Sequence, residues 1–212
     1  MREALIVSTA RTPIGKAYRG AFNATGGQAL GGHAIKHAVE RAGIEGGAVE
    51  DVYMGTALIQ GSTGMNFGRQ AAMKAGLPVS VPGMSLDRQC SSGMMAIATA
   101  AKQVTQDGMQ VAVGGGVESV SLVQTKEMRV MPDPWLMKNK PAIYMSMLET
   151  AETVAARYNV SREAQDEYAF GSQQKTAAAQ EAGKFDDEIA PMTTVMKVQD
   201  RETGEISDKE IT

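Results

Sequence analysis

Gly83-Met84-Ser85-Leu86-Asp87-Arg88-Gln89-Cys90-Ser91-Ser92-Gly93, running on into Met94-Met95-Ala96-Ile97-Ala98-Thr99-Ala100-Ala101, is the stretch on which the fold turns. Met84 to Leu86 reads as a short strand. A polar turn follows, then a thiol, two small hydroxyl residues and a glycine. Ser92 to Gln106 then reads as a helix that is apolar nearly all round, one that would be covered on most sides. Strand, turn and buried helix in this order make one unit of an α/β fold. Cys90 is the only cysteine of the chain. A thiol at a helix start meets unpaired backbone N–H groups and the positive end of the helix dipole, and both favour the thiolate, which is the nucleophile. The alternative is a small, buried apolar residue, a common role for free cysteine.

Outward from this stretch the same alternation recurs. Ala4 to Val7 reads as a strand. Gly26 to Gly43 reads as a helix, with Leu30, Ala34, Ile35, Ala38, Val39 and Ala42 on its apolar positions and Gly43 as its stop. Val52 to Met54 is a strand, Asn66 to Ala75 a helix stopped by Gly76 and Pro78, and Val111 to Val113 a strand closed by three glycines. Strands alternating with helices predict a sheet with helices on its faces. After about Ser121 the pattern changes. Pro132, Pro134 and Pro141 mark an irregular stretch. Two helices follow, Leu148 to Tyr158 and a longer one capped by Ser161 and ended by Gly183. From Lys197 the chain is polar, with Thr203-Gly204 as a turn.

Bulk properties narrow the classes. The 212 residues are 43% hydrophobic and 21% charged, ordinary for a globular protein of one large or two small domains. The net charge of −3 comes without a basic stripe, which argues against a nucleic-acid groove. A single cysteine allows no internal disulfide and fits a reducing compartment. No run reaches the roughly 18 apolar residues of a membrane span. Met1 to Val7 reads as entry into a strand and not as a secretory signal, and Glu210-Ile211-Thr212 is not a peroxisomal address. A cytoplasmic protein without membrane contact is the expectation.

Other constellations carry less. His33, His37 and Glu40 fall at i, i+4 and i+7 of one helix, a spacing that can hold zinc. No fourth group accompanies them, so no metal is expected and a polar face turned to solvent or a partner is the better reading. Gly114-Gly115-Gly116 lacks the Gly-Lys-Ser/Thr ending of a phosphate loop. Tight packing beside the helix that follows Cys90 is the expected reason for these glycines.

Asp87-Arg88-Gln89-Cys90-Ser91-Ser92-Gly93 resembles the nucleophile segment of the thiolases, the acyl-CoA C-acyltransferases. The resemblance runs nearly end to end, through Ile6–Gly15, Gly68–Pro78, Gly114–Ser121, and Thr150–Ala155 with Ser161–Asp166 and Phe185–Ile189. It implies an α/β, layered thiolase core with helices on both faces of a mixed sheet, over residues 1–121. An incomplete, mostly helical loop domain on the CoA-binding side would occupy 122–212. It also implies reversible thiolysis of a 3-ketoacyl-CoA to acetyl-CoA and a shortened acyl-CoA, as in β-oxidation and fatty acid metabolism, through an acyl thioester on Cys90. CoA is then a substrate and no cofactor is needed. A thiolase is about twice as long, and its second half supplies an Asn, a His in a Gly-His-Pro segment and a second Cys. Neither His33 nor His37 lies in such a segment, so the resemblance is to the amino-terminal half, expected to be inactive alone. Partners implied are acyl-CoA, CoA, and a second copy or a complementary carboxy-terminal half.

Within the resemblance, Met147 matches a methionine near the pantetheine arm. The family often has His before it, where this chain has Ser146. Asp87 stands where many thiolases have Asn, and Ser91-Ser92 resembles the degradative type more than the Gly-Ser pair of the biosynthetic type. Two rivals stay open. One is a non-catalytic half-thiolase serving as an interaction module. The other is a condensing enzyme of similar architecture acting on an acyl carrier protein, against which the loop-domain helices argue.

Overall fold

The computed structural model describes residues 2–128 and 130–212. The chain forms two compact units, one of Met1–Met128 with Glu188–Thr212 and one of Arg129–Asp187.

In the first unit, helix α1 (Gly27–Ala42) is followed by strand β1 (Asp51–Gly55), helix α2 (Phe67–Lys74), strand β2 (Gly83–Leu86), helix α3 (Ser92–Gln106), strand β3 (Ala112–Gly116) and the short helix α4 (Val120–Val123). The three strands are parallel in the order β2-β1-β3, with Gly55 opposite Leu86 on one side and Gly116 on the other. β1 is central, and a central parallel strand is buried on both faces, which is why Val52, Tyr53 and Met54 are all apolar and all buried. Its side chains alternate. Val52 and Met54 enter a core with Ile35 and Val39 of α1 and Phe67, Ala71 and Ala72 of α2, while Tyr53 meets Ala96 and Ala100 of α3. Helices therefore cover both faces, and the α/β class expected from the alternation is the class found.

Helix boundaries follow local chemistry. The side chain of Asn66 caps α2 by accepting from Arg69 N–H, and Gly43, at φ 66°, closes α1 in the left-handed conformation that glycine adopts without strain. Ala4 to Val7 is not a strand. Leu5, Ile6 and Val7 are exposed, and among the described residues no backbone pairs with this stretch, so its apolar, strand-like composition finds no ladder to join. β3 instead runs on from Val113 through the three glycines, because its ladder to β1 continues there.

Residues 188–212 return to the first unit, so the compact units are drawn differently from a cut at 121/122. The return is held at Arg11. Arg11 N–H donates to the Glu188 carbonyl at 2.9 Å, Ala190 N–H donates to the Arg11 carbonyl at 2.8 Å, and the Arg11 guanidinium pairs with the Glu188 carboxylate at 2.9 Å. Arg41 of α1 donates to the carbonyls of Thr9, Glu188 and Ile189. Beyond this clasp the polar segment forms an antiparallel hairpin, β4 (Thr194–Gln199) and β5 (Ile206–Ile211), about the expected Thr203-Gly204 turn. Asn23 fastens it, its amide oxygen accepting from Lys197 N–H and its amide nitrogen donating to the Lys197 carbonyl.

The second unit holds a short helix α5 (Pro134–Asn139), helix α6 (Met147–Tyr158) and helix α7 (Arg162–Glu181), the last two at the expected positions. Ser146 and Glu149 form a reciprocal capping box at the head of α6, and Ser161 caps α7 by accepting from Ala164 N–H. Among the described residues no helix is long and apolar enough to cross a membrane.

Tyr53 offers a test of the sheet packing. Burial, and then the Asp51 carboxylate, push its phenol up to about 12 from an ordinary 10.0. An acid whose folded pKa is raised stabilises the fold below its unfolded pKa and loses that contribution as pH rises through the folded one. Stability is therefore expected to fall between about pH 10 and pH 12, by roughly 2–3 kcal/mol from this group. Urea unfolding across that window checks it, and an identical slope in Tyr53→Phe removes Tyr53 as the cause.

Candidate active site

Parallel strands in an open α/β sheet expose their carboxyl ends at one edge, where such sheets bind ligands. Here that edge carries the turn 87–91 after β2, Thr56 after β1 and Glu118 after β3. The three are stitched together. Thr56 N–H donates to the Leu86 carbonyl at 3.1 Å and Val117 N–H to the Gly55 carbonyl at 3.0 Å. The Glu118 carboxylate accepts from the Thr56 hydroxyl at 3.1 Å and from Ala57 N–H.

Glycines seat α3 against this edge. A Cβ on Gly55 would lie 2.2 Å from the Ser92 carbonyl group, one on Gly116 2.7 Å from Gly93 Cα, and one on Gly114 2.8 Å from Ile97 Cα. Gly115, one residue out of phase, faces Met54 instead. The expectation of tight packing beside α3 is met by Gly114 and Gly116, each of which touches helix backbone. The cover on α3 is less than its composition predicts. Only Ser92, Ala96 and Ala100 are buried, while Met94 is 75% and Ile97 44% exposed, because the sheet covers one face alone.

Cys90 lies one residue ahead of Ser91, the N-cap of α3, and its side chain is exposed. The turn that carries it is dense with hydrogen bonds. Asp87 accepts from Gln89 N–H at 2.6 Å, and the Ser91 hydroxyl donates to the Arg88 carbonyl at 2.8 Å. The Ser92 hydroxyl accepts from Arg88 N–H at 2.8 Å and donates to the Gln89 carbonyl at 2.5 Å. Gln89 has φ 50°, a left-handed conformation that costs a non-glycine residue about 1–2 kcal/mol. The surrounding bonds hold it there. Among the described residues, no hydrogen-bond partner meets the Cys90 N–H. The edge thus presents a thiol and a free backbone donor from one residue, the two groups that acyl transfer requires of a nucleophile position.

Met147 belongs to the second unit, where it opens α6 and is exposed. Ser146 before it is occupied by the capping box. His33 and His37 pack ring to ring at 4.4 Å on α1, with His33 Nε2 3.3 Å from the Ala190 carbonyl and His37 Nδ1 3.5 Å from Glu40. Burial and then the His33 ring lower the His37 pKa from its usual value. Part of this polar face is thus turned to the return segment of the same chain. Among the described residues no cluster of three His, Cys, Asp or Glu could hold a metal ion. Ser92 and Glu118 were not singled out as individual positions from the sequence. A polar residue within two positions of a strand-ending turn or glycine run is the local signal that marks both.

Residues 4–211 match the family model described as "Thiolase, N-terminal domain". The chain is 42% identical to the 3-ketoacyl-CoA thiolase of Bacillus subtilis (strain 168), over 91% of this chain and 49% of that protein. It is 40% identical to the acetyl-CoA acetyltransferase of Rhizobium meliloti (strain 1021), over 88% and 50%. It is 37% identical to the mitochondrial acetyl-CoA acetyltransferase of Homo sapiens, over 94% and 48%. The crystal structure of the Bacillus anthracis acetyl-CoA acetyltransferase superposes with a TM-score of 0.76 at 32% identity, over 99% of this chain and 54% of that one. The chain spans about half the length of the curated relatives it matches.

Proposed function

Because the chain belongs to the thiolase family, we propose that Cys90 is the nucleophile of a CoA-dependent acyl transfer, with acyl-CoA and CoA as substrates. The Cys90 thiolate adds to the ketone carbon of a 3-ketoacyl-CoA. The tetrahedral oxyanion collapses with cleavage of the bond to the adjacent carbon, leaving the acyl group on sulfur. The departing acetyl-CoA carbanion takes up a proton. CoA thiolate then attacks the acyl-Cys90 thioester and leaves as the shortened acyl-CoA, returning Cys90 as thiolate. Covalent catalysis divides one hard step into two, and each passes through an oxyanion that needs an aimed donor. The Cys90 N–H is the donor this chain offers, and Met147 is the residue assigned to the pantetheine arm. CoA is consumed as the second substrate, so the scheme calls on no cofactor.

The single observation that carries this reading is the exposed thiol of Cys90 beside its own unpartnered N–H, at the carboxyl edge of the sheet. A second reading, an association module without chemistry, draws on the exposed apolar side chains of Leu5, Ile6, Val7, Met94 and Ile97. One experiment separates them. Incubation with an aryl thioester of acetic acid, followed by peptide mass mapping, is expected to place the acetyl group on Cys90 and to leave Cys90→Ala unlabelled. Acylation of Cys90 no faster than that of a short cysteine peptide at the same pH would favour the association module.

A further inference from the structure

We propose that Ser92 is a positioning residue for acyl transfer. Its hydroxyl fixes and polarises the peptide whose N–H is the Cys90 oxyanion donor. The inference rests on the assignment of Cys90 as nucleophile. The carbonyl of Gln89 and the N–H of Cys90 belong to one peptide group. That carbonyl accepts twice from Ser92, from its hydroxyl at 2.5 Å and from its backbone N–H at 3.0 Å. No cis peptide occurs among the described residues, so the N–H of this group points opposite to its carbonyl, away from Ser92. A peptide whose oxygen accepts two donors carries a more acidic N–H, because hydrogen bonds in series polarise one another.

Ser92 is suited to this by its own surroundings. It is 3% exposed, so its hydroxyl does not exchange these bonds for water. It accepts from Arg88 N–H at 2.8 Å while donating to Gln89, which closes a ring across the base of the turn. The seat is rigid, since Gly55 of β1 packs against the backbone of Ser92 itself. The left-handed Gln89 is thereby held on both sides, by Asp87 at its N–H and by Ser92 at its carbonyl. Ser91, adjacent in sequence, donates to the Arg88 carbonyl, one peptide upstream, and does not touch the peptide of the Cys90 N–H.

Two reactions of the same thiol isolate this role. In acylation by an aryl thioester, the Cys90 thiolate adds to the carbonyl carbon, an oxyanion forms, and an aryl thiolate leaves as the carbonyl returns. In alkylation by iodoacetamide, sulfur displaces iodide and no oxyanion appears. Both rates are measured at one and the same pH. The ratio of acylation to alkylation is the readout. Losing an oxyanion donor outright costs about 10²–10³-fold, so mis-aiming and weakening one should lower the ratio about tenfold in Ser92→Ala. A fall of about fivefold or more supports the proposal, and a smaller one overturns it. Loss of both rates in parallel leaves the ratio unchanged and assigns Ser92 a structural role only. Should Ser92→Ala fail to fold, Ser92→Thr carries the test, because it retains the hydroxyl. Its ratio is expected within about threefold of the parent, and a fivefold fall overturns the proposal. Absence of acylation in the unsubstituted chain overturns the nucleophile assignment itself, whereas normal acylation with an unchanged ratio in Ser92→Ala overturns this inference alone.

Discussion

The purified 212-residue chain is expected to cleave acetoacetyl-CoA at least about 10⁴-fold more slowly than a full-length thiolase assayed beside it. The magnitude follows from the groups that acyl transfer needs and that the thiolase resemblance places outside these 212 residues. Positioned acid–base catalysis contributes about 10²–10⁴-fold, and each oxyanion donor about 10²–10³-fold. The least of each multiplies to about 10⁴. The two histidines of the chain are both on α1, where they meet one another, the Ala190 carbonyl and Glu40. Neither belongs to the Gly-His-Pro segment in which the thiolase resemblance locates the base. The covalent half-reaction should survive, because an activated thioester supplies its own leaving group. Slow turnover with intact Cys90 acylation is therefore the expected pattern. Turnover within tenfold of the full-length enzyme would show that another group of the chain serves Cys90 as base.

Gly55→Ala is expected to destabilise the first unit by about 3 kcal/mol or more, at or beyond the upper end of ordinary overpacking. The added Cβ would stand 2.2 Å from the carbonyl carbon and oxygen of Ser92. These are backbone atoms of the first turn of α3 and cannot rotate aside. Relief requires α3 to lift from β1, which would expose Ala96, Ala100 and Tyr53 and shift the turn that carries Cys90. With total stabilities of about 5–15 kcal/mol, such a loss removes a large share of the fold. Urea unfolding followed by circular dichroism measures it. The same substitution at Gly171, inside α7 with nothing within 4 Å of the new Cβ, should raise helix stability by about 0.5–1 kcal/mol. A midpoint for Gly55→Ala equal to the parent's would mean that α3 does not rest on β1 at this distance.

The longer helices and the turn at Cys90 were legible in local sequence, whereas the short helix α5 lies in the proline-marked stretch that reads as irregular. The information for the longer helices and the turn is local. Ser92 to Gln106 became α3 because a long apolar run follows a hydroxyl-rich turn, and Asn66, Ser161, Gly43 and Gly183 act on backbone groups a few residues away. The family was equally legible, since motifs in a fixed order survive without knowledge of contacts. Tertiary structure alone decided the rest. Leu5, Ile6 and Val7 have strand composition but no strand, because a ladder is made by a neighbour and composition does not supply one. Gly114–Gly116 looked like the end of β3 and became part of it, because a strand pressed by a helix needs room that only glycine leaves. Residues 188–212 joined the first unit through bonds to Arg11, Asn23 and Arg41, across separations of well over a hundred positions that no local pattern records. The Cys90 N–H belongs with these. Its lack of a partner among the described residues depends on where every nearby carbonyl falls, and only the folded backbone sets that.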